Sequence, residues 1–301
     1  MPLNPVPVAV DRRGCRCTCG CWTRRRRYAS DLTDAQWEIL KPLLPAPLTT
    51  TGLGGRPEKH SRRTMIDAIF YVVDNGNKWR NLPADFPPWQ TVYGMLRRWS
   101  RNLATHHLLD TLRRRLRTAL GRNARPSAGC IDSQSVHKTA EATVPRHSSG
   151  FDPHKKVNGR KRHIVTDTLG LLVSVVITPA NVQDRDAAWP ALHGAASRGL
   201  THVWADQGYE GPLTEHANNV LGLTVNIVYR HPGQKGFQVL PRRWVVERTL
   251  AWISRRRRCA RDYERLPEHH ATIVCWAAII HMTRRLARLP HTTQQDPKQP
   301  L

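Results

Sequence analysis

Apolar positions recur along this chain with two different periods, and the change from one to the other divides it. From Tyr28 to about residue 122 the spacing is helical. In SDLTDAQWEILKPLLP, Trp37, Leu40 and Leu44 share one helical side, Thr33 and Gln36 have the spacing of a capping box, and Pro45 ends the run. After the turn-forming link TTTGLGGRPEKH, Ser61 stands where it can cap a second helix with Met65, Ile66, Ile69, Phe70 and Val73 on one side, stopped at Asn75-Gly76. A third helix fits TVYGMLRRWSRNL through Val92, Leu96 and Trp99, and an Arg-rich fourth runs from Leu108 to Leu120. Three short helices with a basic outer face predict a helix-turn-helix-like DNA-binding unit, with Trp79, Trp89 and Trp99 in its core.

Beyond the linker GRNARPS the pattern turns to strands. AGCIDSQSV reads as a short apolar strand that ends at Asp132, and KRHIVTD with LLVSVVIT forms a hairpin about Leu169-Gly170. A helix over 184–198 with Asp184 at its N-cap, the strand THVWAD, a helix over 212–220 and the strand TVNIVYR follow. Two more helices cover about 242–259 and 267–288. The order predicts a mixed α/β catalytic domain over 127–288 behind a helical DNA-binding domain over 28–122. Residues 1–27 lack hydrophobic periodicity and read as a disordered basic leader, and 289–301 as a disordered tail.

Charge sharpens this picture. The chain carries 47 Lys+Arg against 23 Asp+Glu, a formal net charge of +24, which points to nucleic acid as partner. The longest apolar runs, LLVSVVI and IVCWAAII, are too short to span a bilayer, so no membrane partner is expected and the reading is cytoplasmic. Cys15, Cys17, Cys19 and Cys21 alternate with single residues, unlike the ligand spacing of structural zinc sites, while Cys130, Cys259 and Cys275 lie in apolar surroundings as small core residues.

Against so basic a background three carboxylates stand out: Asp132 at the end of one strand, Asp206 at the end of another, and Glu247 on a late helix. Singly, each has a plain structural explanation as a helix cap or a surface ion-pair partner. Brought together by a central sheet, they would form a set of hard oxygen ligands suited to two Mg²⁺ or Mn²⁺ ions and to phosphodiester chemistry. Gly208 and Tyr209 after Asp206 suit a tight turn and an aromatic at the pocket rim, or simply a loop glycine and a half-buried ring. Lys161 and Arg162 alternate across a strand, so one of its faces is a candidate for DNA contact.

The series YASDLTDAQWEILKPLLP, GRPEKHSRRTMIDAIFYVVDNGNKWRNLP, IDSQSVHK, NGRKRHIVTDTLGLL, ANVQDRDA, WADQGYEG and PRRWVVERTLAWISRRRRCARDYE resembles the bacterial insertion-sequence transposases of the insertion sequence five family, in the family's order from about Tyr28 to Arg288. The resemblance implies a ribonuclease H-like domain whose Asp-Asp-Glu triad falls on Asp132, Asp206 and Glu247. It also implies Mg²⁺-dependent cutting and joining of double-stranded DNA, binding of terminal inverted repeats and target DNA, and a homodimer in the synaptic complex. Arg243 matches the arginine four residues before the Glu, on the same helical face. Where many relatives place a lysine seven residues after the Glu, this chain has Ser254 followed by Arg255, a candidate for the missing phosphate contact. The rival readings are a catalytically inactive or repurposed DNA-binding protein of the same fold, and a nuclease without strand transfer.

Overall fold

The structure, a computed structural model, describes residues 24–47, 57–139, 143–229 and 242–290. The cysteines of the leader and most of the tail lie outside them. Among the described residues no helix is long and apolar enough to cross a membrane.

The first helix, α1 (Asp34–Leu40), starts as its sequence predicts: Thr33 and Gln36 close a reciprocal capping box. Helix α2 (Arg62–Asn75) begins after Ser61, which makes no side-chain cap bond, and ends at Gly76 in the left-handed region (φ 71°). A side chain at Gly76 would also strike Arg257, so this glycine both ends α2 and lets the later chain pass. Helix α3 (Trp89–Arg101) buries Val92, Met95, Leu96 and Trp99 and turns Gln90, Thr91, Arg98 and Arg101 to solvent. Helix α4 (Ala104–Ala119) buries two arginines among its leucines. Arg113 donates to the Leu172 carbonyl, and Arg117 forms a 2.5 Å ion pair with buried Asp167, which fastens the helix to the sheet.

Helix α2 is buried over nearly its whole circumference, more than an amphipathic surface helix would be, and the reason lies at the other end of the chain. Helix α9 (Pro267–Leu286), with its apolar run IVCWAAII, packs among α1–α4, and one hydrophobic core joins Leu40, Ile66, Phe70, Leu96 and Leu112 to Ile273, Trp276 and Ile280. Trp276 stacks on Trp99 with ring centroids 6.2 Å apart and meets Phe70 edge-on at 6.1 Å. Trp276→Ala is expected to cost about 3–5 kcal/mol. Because the core is shared, urea unfolding followed by circular dichroism and by fluorescence should shift as one transition; a shift confined to the helical signal would show separate cores.

The strands are β1 (Ala128–His137), β2 (Gly150–Asp152), β3 (Val157–Asp167), β4 (Leu172–Pro179), β5 (His202–Ala205) and β6 (Thr224–Ile227). They form one sheet in the order β2-β3-β1-β5-β6, with β4 also on the outer side of β3. The β3, β1 and β4 pairings are antiparallel, while β1-β5 and β5-β6 are parallel. Helices α5 (Asp184–Ala196) and α6 (Pro212–Leu221) cover one face over Ile131, Val165, Val173 and Val203. Helix α7 (Trp244–Ser254), the short α8 (Arg257–Ala260) and α9 close the other, over Cys130, Ile164 and Leu172. This is the expected mixed α/β architecture.

Covering both faces of β3 overturns one expectation. Lys161 and Arg162 are buried and are not presented to DNA. Lys161 Nζ donates to the Val182 carbonyl and stands 2.9 Å from Asp184, while Arg162 donates to Gln134, Ser254 and the Cys259 carbonyl. Asp184 is correspondingly the first residue of α5, with Gln183 at the N-cap.

Residues 24–27, expected in the disordered leader, belong to the fold. The Arg24 side chain is 4 % exposed, 2.9 Å from Asp31, 3.0 Å from Asp85 and 3.6 Å from Asp67, and lies over the Phe86 ring at 4.0 Å. Burial, with Asp31 adding, pushes the Asp67 carboxyl up to about 7 in spite of the Leu32 N–H and Arg24.

Candidate active site

The register of β1 decides where a cleft can open. Its parallel pairing with β5 runs from Ala128–His202 to Cys130–Trp204 and stops, whereas its antiparallel pairing with β3 continues to His137. Asp132 therefore sits inside a longer strand than expected, just past the point where β1 and β5 part. Such a parting at the carboxyl ends of parallel strands is where open α/β sheets bind ligands. Strand alternation puts Asp132 on the face of Cys130, beneath α7. Asp206 follows the last residue of β5 and shares a face with Trp204, which packs against the same core.

Asp206 is held by a turn. Its Oδ1 accepts from the Gly208 N–H at 2.9 Å at the start of a short 3-10 segment, Gln207–Tyr209. A Cβ on Gly208 would lie 3.0 Å from that oxygen, so the glycine fits the turn closely. Tyr209, read as a rim aromatic or a half-buried ring, is wholly buried in the core beneath α5. Glu247 lies in the first turn of α7 with its side chain 44 % exposed, and Asp206 is 32 % exposed. Arg243, at the N-cap of α7, links them: its Nη2 is 3.3 Å from Asp206 Oδ2 and 3.6 Å from Glu247 Oε1.

Electrostatics ties in the third carboxylate. Burial pushes Asp132 up to about 6, and the charge of Asp206 adds to the rise; the Ser133 N–H, bonded at 2.7 Å, and the charges of Arg243 and Lys155 oppose it. Tyr209 is held well above its ordinary range, first by burial and then by Asp184, Asp132 and Asp206. Among the described residues no three His, Cys, Asp or Glu side chains are drawn close enough to enclose a metal ion, and Arg243 is the cation lying between Asp206 and Glu247. The donors nevertheless suit a hard divalent cation: all are carboxylate oxygens, and a cation would relieve the repulsion between Asp132 and Asp206.

The lysine missing at position 254 has a local explanation. Ser254 is half-buried, and its Oγ accepts from Arg162 Nη2 at 2.8 Å and donates to the Leu250 carbonyl. A guanidinium already fills the space a lysine would enter. Ser254→Lys is therefore expected to cost about 1–3 kcal/mol through like-charge contact and to leave cleavage no faster, as thermal melting and a cleavage assay would read. Arg255 is exposed at the end of α7. Gln134 escaped the sequence reading, although as the second residue after Asp132 it shares that strand face and meets Arg162 across the β1-β3 pair. Cys130, Cys259 and Cys275 are buried thiols pushed up to about 12, 11 and 12 by burial, which keeps them protonated.

Comparison with known proteins returns a consistent set. Residues 32–109 match the family model described as "Putative transposase of IS4/5 family", and residues 123–282 match "Transposase DDE domain". A protein of Burkholderia cepacia described as "Putative transposase for insertion sequence element IS402" is 31 % identical over 148 residues, which cover 44 % of this chain and 70 % of that protein.

Proposed function

Since the chain belongs to the DDE transposase family, we propose that it binds the terminal inverted repeats of an insertion sequence, cuts at its ends and joins the freed 3′-hydroxyl to target DNA. The observation that carries this reading is the placing of Asp132, Asp206 and Glu247 on one side of the sheet where β1 and β5 part, with Arg243 between the last two. These three carboxylates are the residues that would hold Mg²⁺ or Mn²⁺. When bound, two such ions activate the attacking oxygen and stabilise the leaving one.

The chain's own groups orient the substrate. The Ser133 and Gly208 N–H groups fix the Asp132 and Asp206 carboxylates, so neither has to be ordered when DNA arrives. Arg243, whose guanidinium lies between Asp206 and Glu247, can hold a phosphate oxygen beside them. Arg255, two turns beyond Glu247 on α7, can take a neighbouring phosphate. The exposed side of α3 offers an amide and a hydroxyl, Gln90 and Thr91, suited to base edges beside arginines suited to phosphates. Pairing two ends calls for a homodimer.

The test is a duplex carrying the element's ends, incubated with the full chain and Mg²⁺ or Mn²⁺. Cleaved and joined products support the reading. Binding without cutting under either metal would put the inactive DNA-binding protein in its place.

A further inference from the structure

Away from the carboxylates, a second concentration of charge is left unbalanced. Arg248 on α7, Arg256 before α8, and Arg284 and Arg285 on α9 surround His281, whose imidazole is held down to about 4 by burial and then by these four cations. Asp74 answers part of the charge, 2.5 Å from Arg256 and 3.4 Å from Arg284. Burial, then Arg256 and, more weakly, Arg288 hold Arg284 below its ordinary range, so the cluster is crowded with like charge.

This cluster borders a groove of about 470 Å³ whose lining carries three cations, Arg26, Arg284 and Arg288, against two carboxylates, Asp31 and Asp74, and of these Asp31 is already paired with Arg24 and Asp74 with Arg256 and Arg284. Arg26 and Arg288 are exposed, and among the described residues neither forms an ion pair. The backbone that carries them is nonetheless fixed. Arg288 follows the last turn of α9, while the backbone bearing Arg26 is pinned by buried Arg24 and by the Arg27 and Tyr28 N–H groups, which donate to Asp31 at 2.8 and 3.1 Å. Arg248 stacks between Trp244 and Trp252, and Trp252 on His281, so the charge continues from the helix of Glu247 to the groove.

We propose that this groove is a second DNA site, which grips the phosphodiester backbone of a duplex away from the bond being cut. Two exposed arginines on a fixed backbone, neither ion-paired among the described residues, match a polyanion, and the run of cations from there to α7 matches one that passes through the catalytic site. The inference rests on the DNA-processing reading above.

The test compares the full chain, the double variant Arg26→Gln/Arg288→Gln, and a control, Arg125→Gln/Arg185→Gln, which removes the same charge from exposed positions before β1 and on α5, outside the helical domain. Binding to a duplex of arbitrary sequence is measured by anisotropy across a salt series. The groove variant should lose about 2 from the slope of log K against log salt, at roughly 0.9 per phosphate contact, while the control keeps the wild-type slope and both variants keep their melting temperature. A groove variant with an unchanged slope, or a control that loses as much, would overturn the groove while leaving wild-type cleavage intact. A wild type that neither binds nor cuts DNA would instead remove the transposition reading itself, and the groove with it.

Discussion

Asp206→Asn is expected to lower metal-dependent cleavage and joining by roughly 10³-fold or more, while binding of the element's ends survives. The change is nearly isosteric: an amide oxygen can still accept from the Gly208 N–H, so the turn after β5 should hold. What disappears is the charge that Arg243 contacts at 3.3 Å and that Asp132 feels across the cleft. Relief of that repulsion should leave the variant no less stable than wild type. Loss of activity together with unchanged or higher melting temperature marks a functional group held at some cost to the fold. Undiminished cleavage by the variant would remove Asp206 from the catalytic assignment.

Arg24→Ala is expected to be the most damaging single change near the amino end, at about 3–5 kcal/mol, the usual cost of stripping one partner from a buried ion-pair cluster. Asp31, Asp67 and Asp85 would be left facing one another around a space over Phe86. The loss should depend on pH in a definite direction. The folded state raises Asp67 from 3.8 to about 7, so it binds the proton more tightly than the unfolded chain. That contribution to stability is complete below about pH 4 and fades as pH rises through 7. Without the guanidinium the carboxyl should rise further, so melting curves should show a larger deficit at pH 8 than at pH 5.5. An equal deficit at both would mean that Arg24 acts through packing on Phe86 alone.

Period carried most of the reading from sequence. The helical spacing up to Leu120, the capping box at Thr33 and Gln36, and the hairpin around Gly170 all stand in the structure because each is set by neighbours a few residues apart. The resemblance noted from the motif series is to the family that the comparisons return. What period could not carry was anything decided by distant partners. Alternation along β3 suggests one wet face, yet helices cover both, and so Lys161 and Arg162 became interior cations. Strand β2, three residues long, is too short to show a pattern. Arg24 looked like part of a basic tail because its carboxylates lie at positions 31, 67 and 85, and no local signal joins them. The apolar run stops at Asp132 and so predicts a strand end there, whereas the strand continues on backbone bonds to β3 that polar side chains do not disturb.

The seating of α9 among the first helices also orders events during synthesis. Helices α2 and α4 leave the ribosome early, but much of the surface that buries them comes from α8 and α9, residues 257–286. At about 5–20 residues per second, roughly 10–40 s pass between the end of α2 and the completion of that surface. Through that interval α2 has only the partial cover of Tyr28, Phe86 and α3, and a message broken before codon 267 yields helices without their shared core. The half of the protein that is made first is thus completed last, so the chain acquires a finished amino-terminal layer only once the strands carrying Asp132 and Asp206 and the helix carrying Glu247 have already been made.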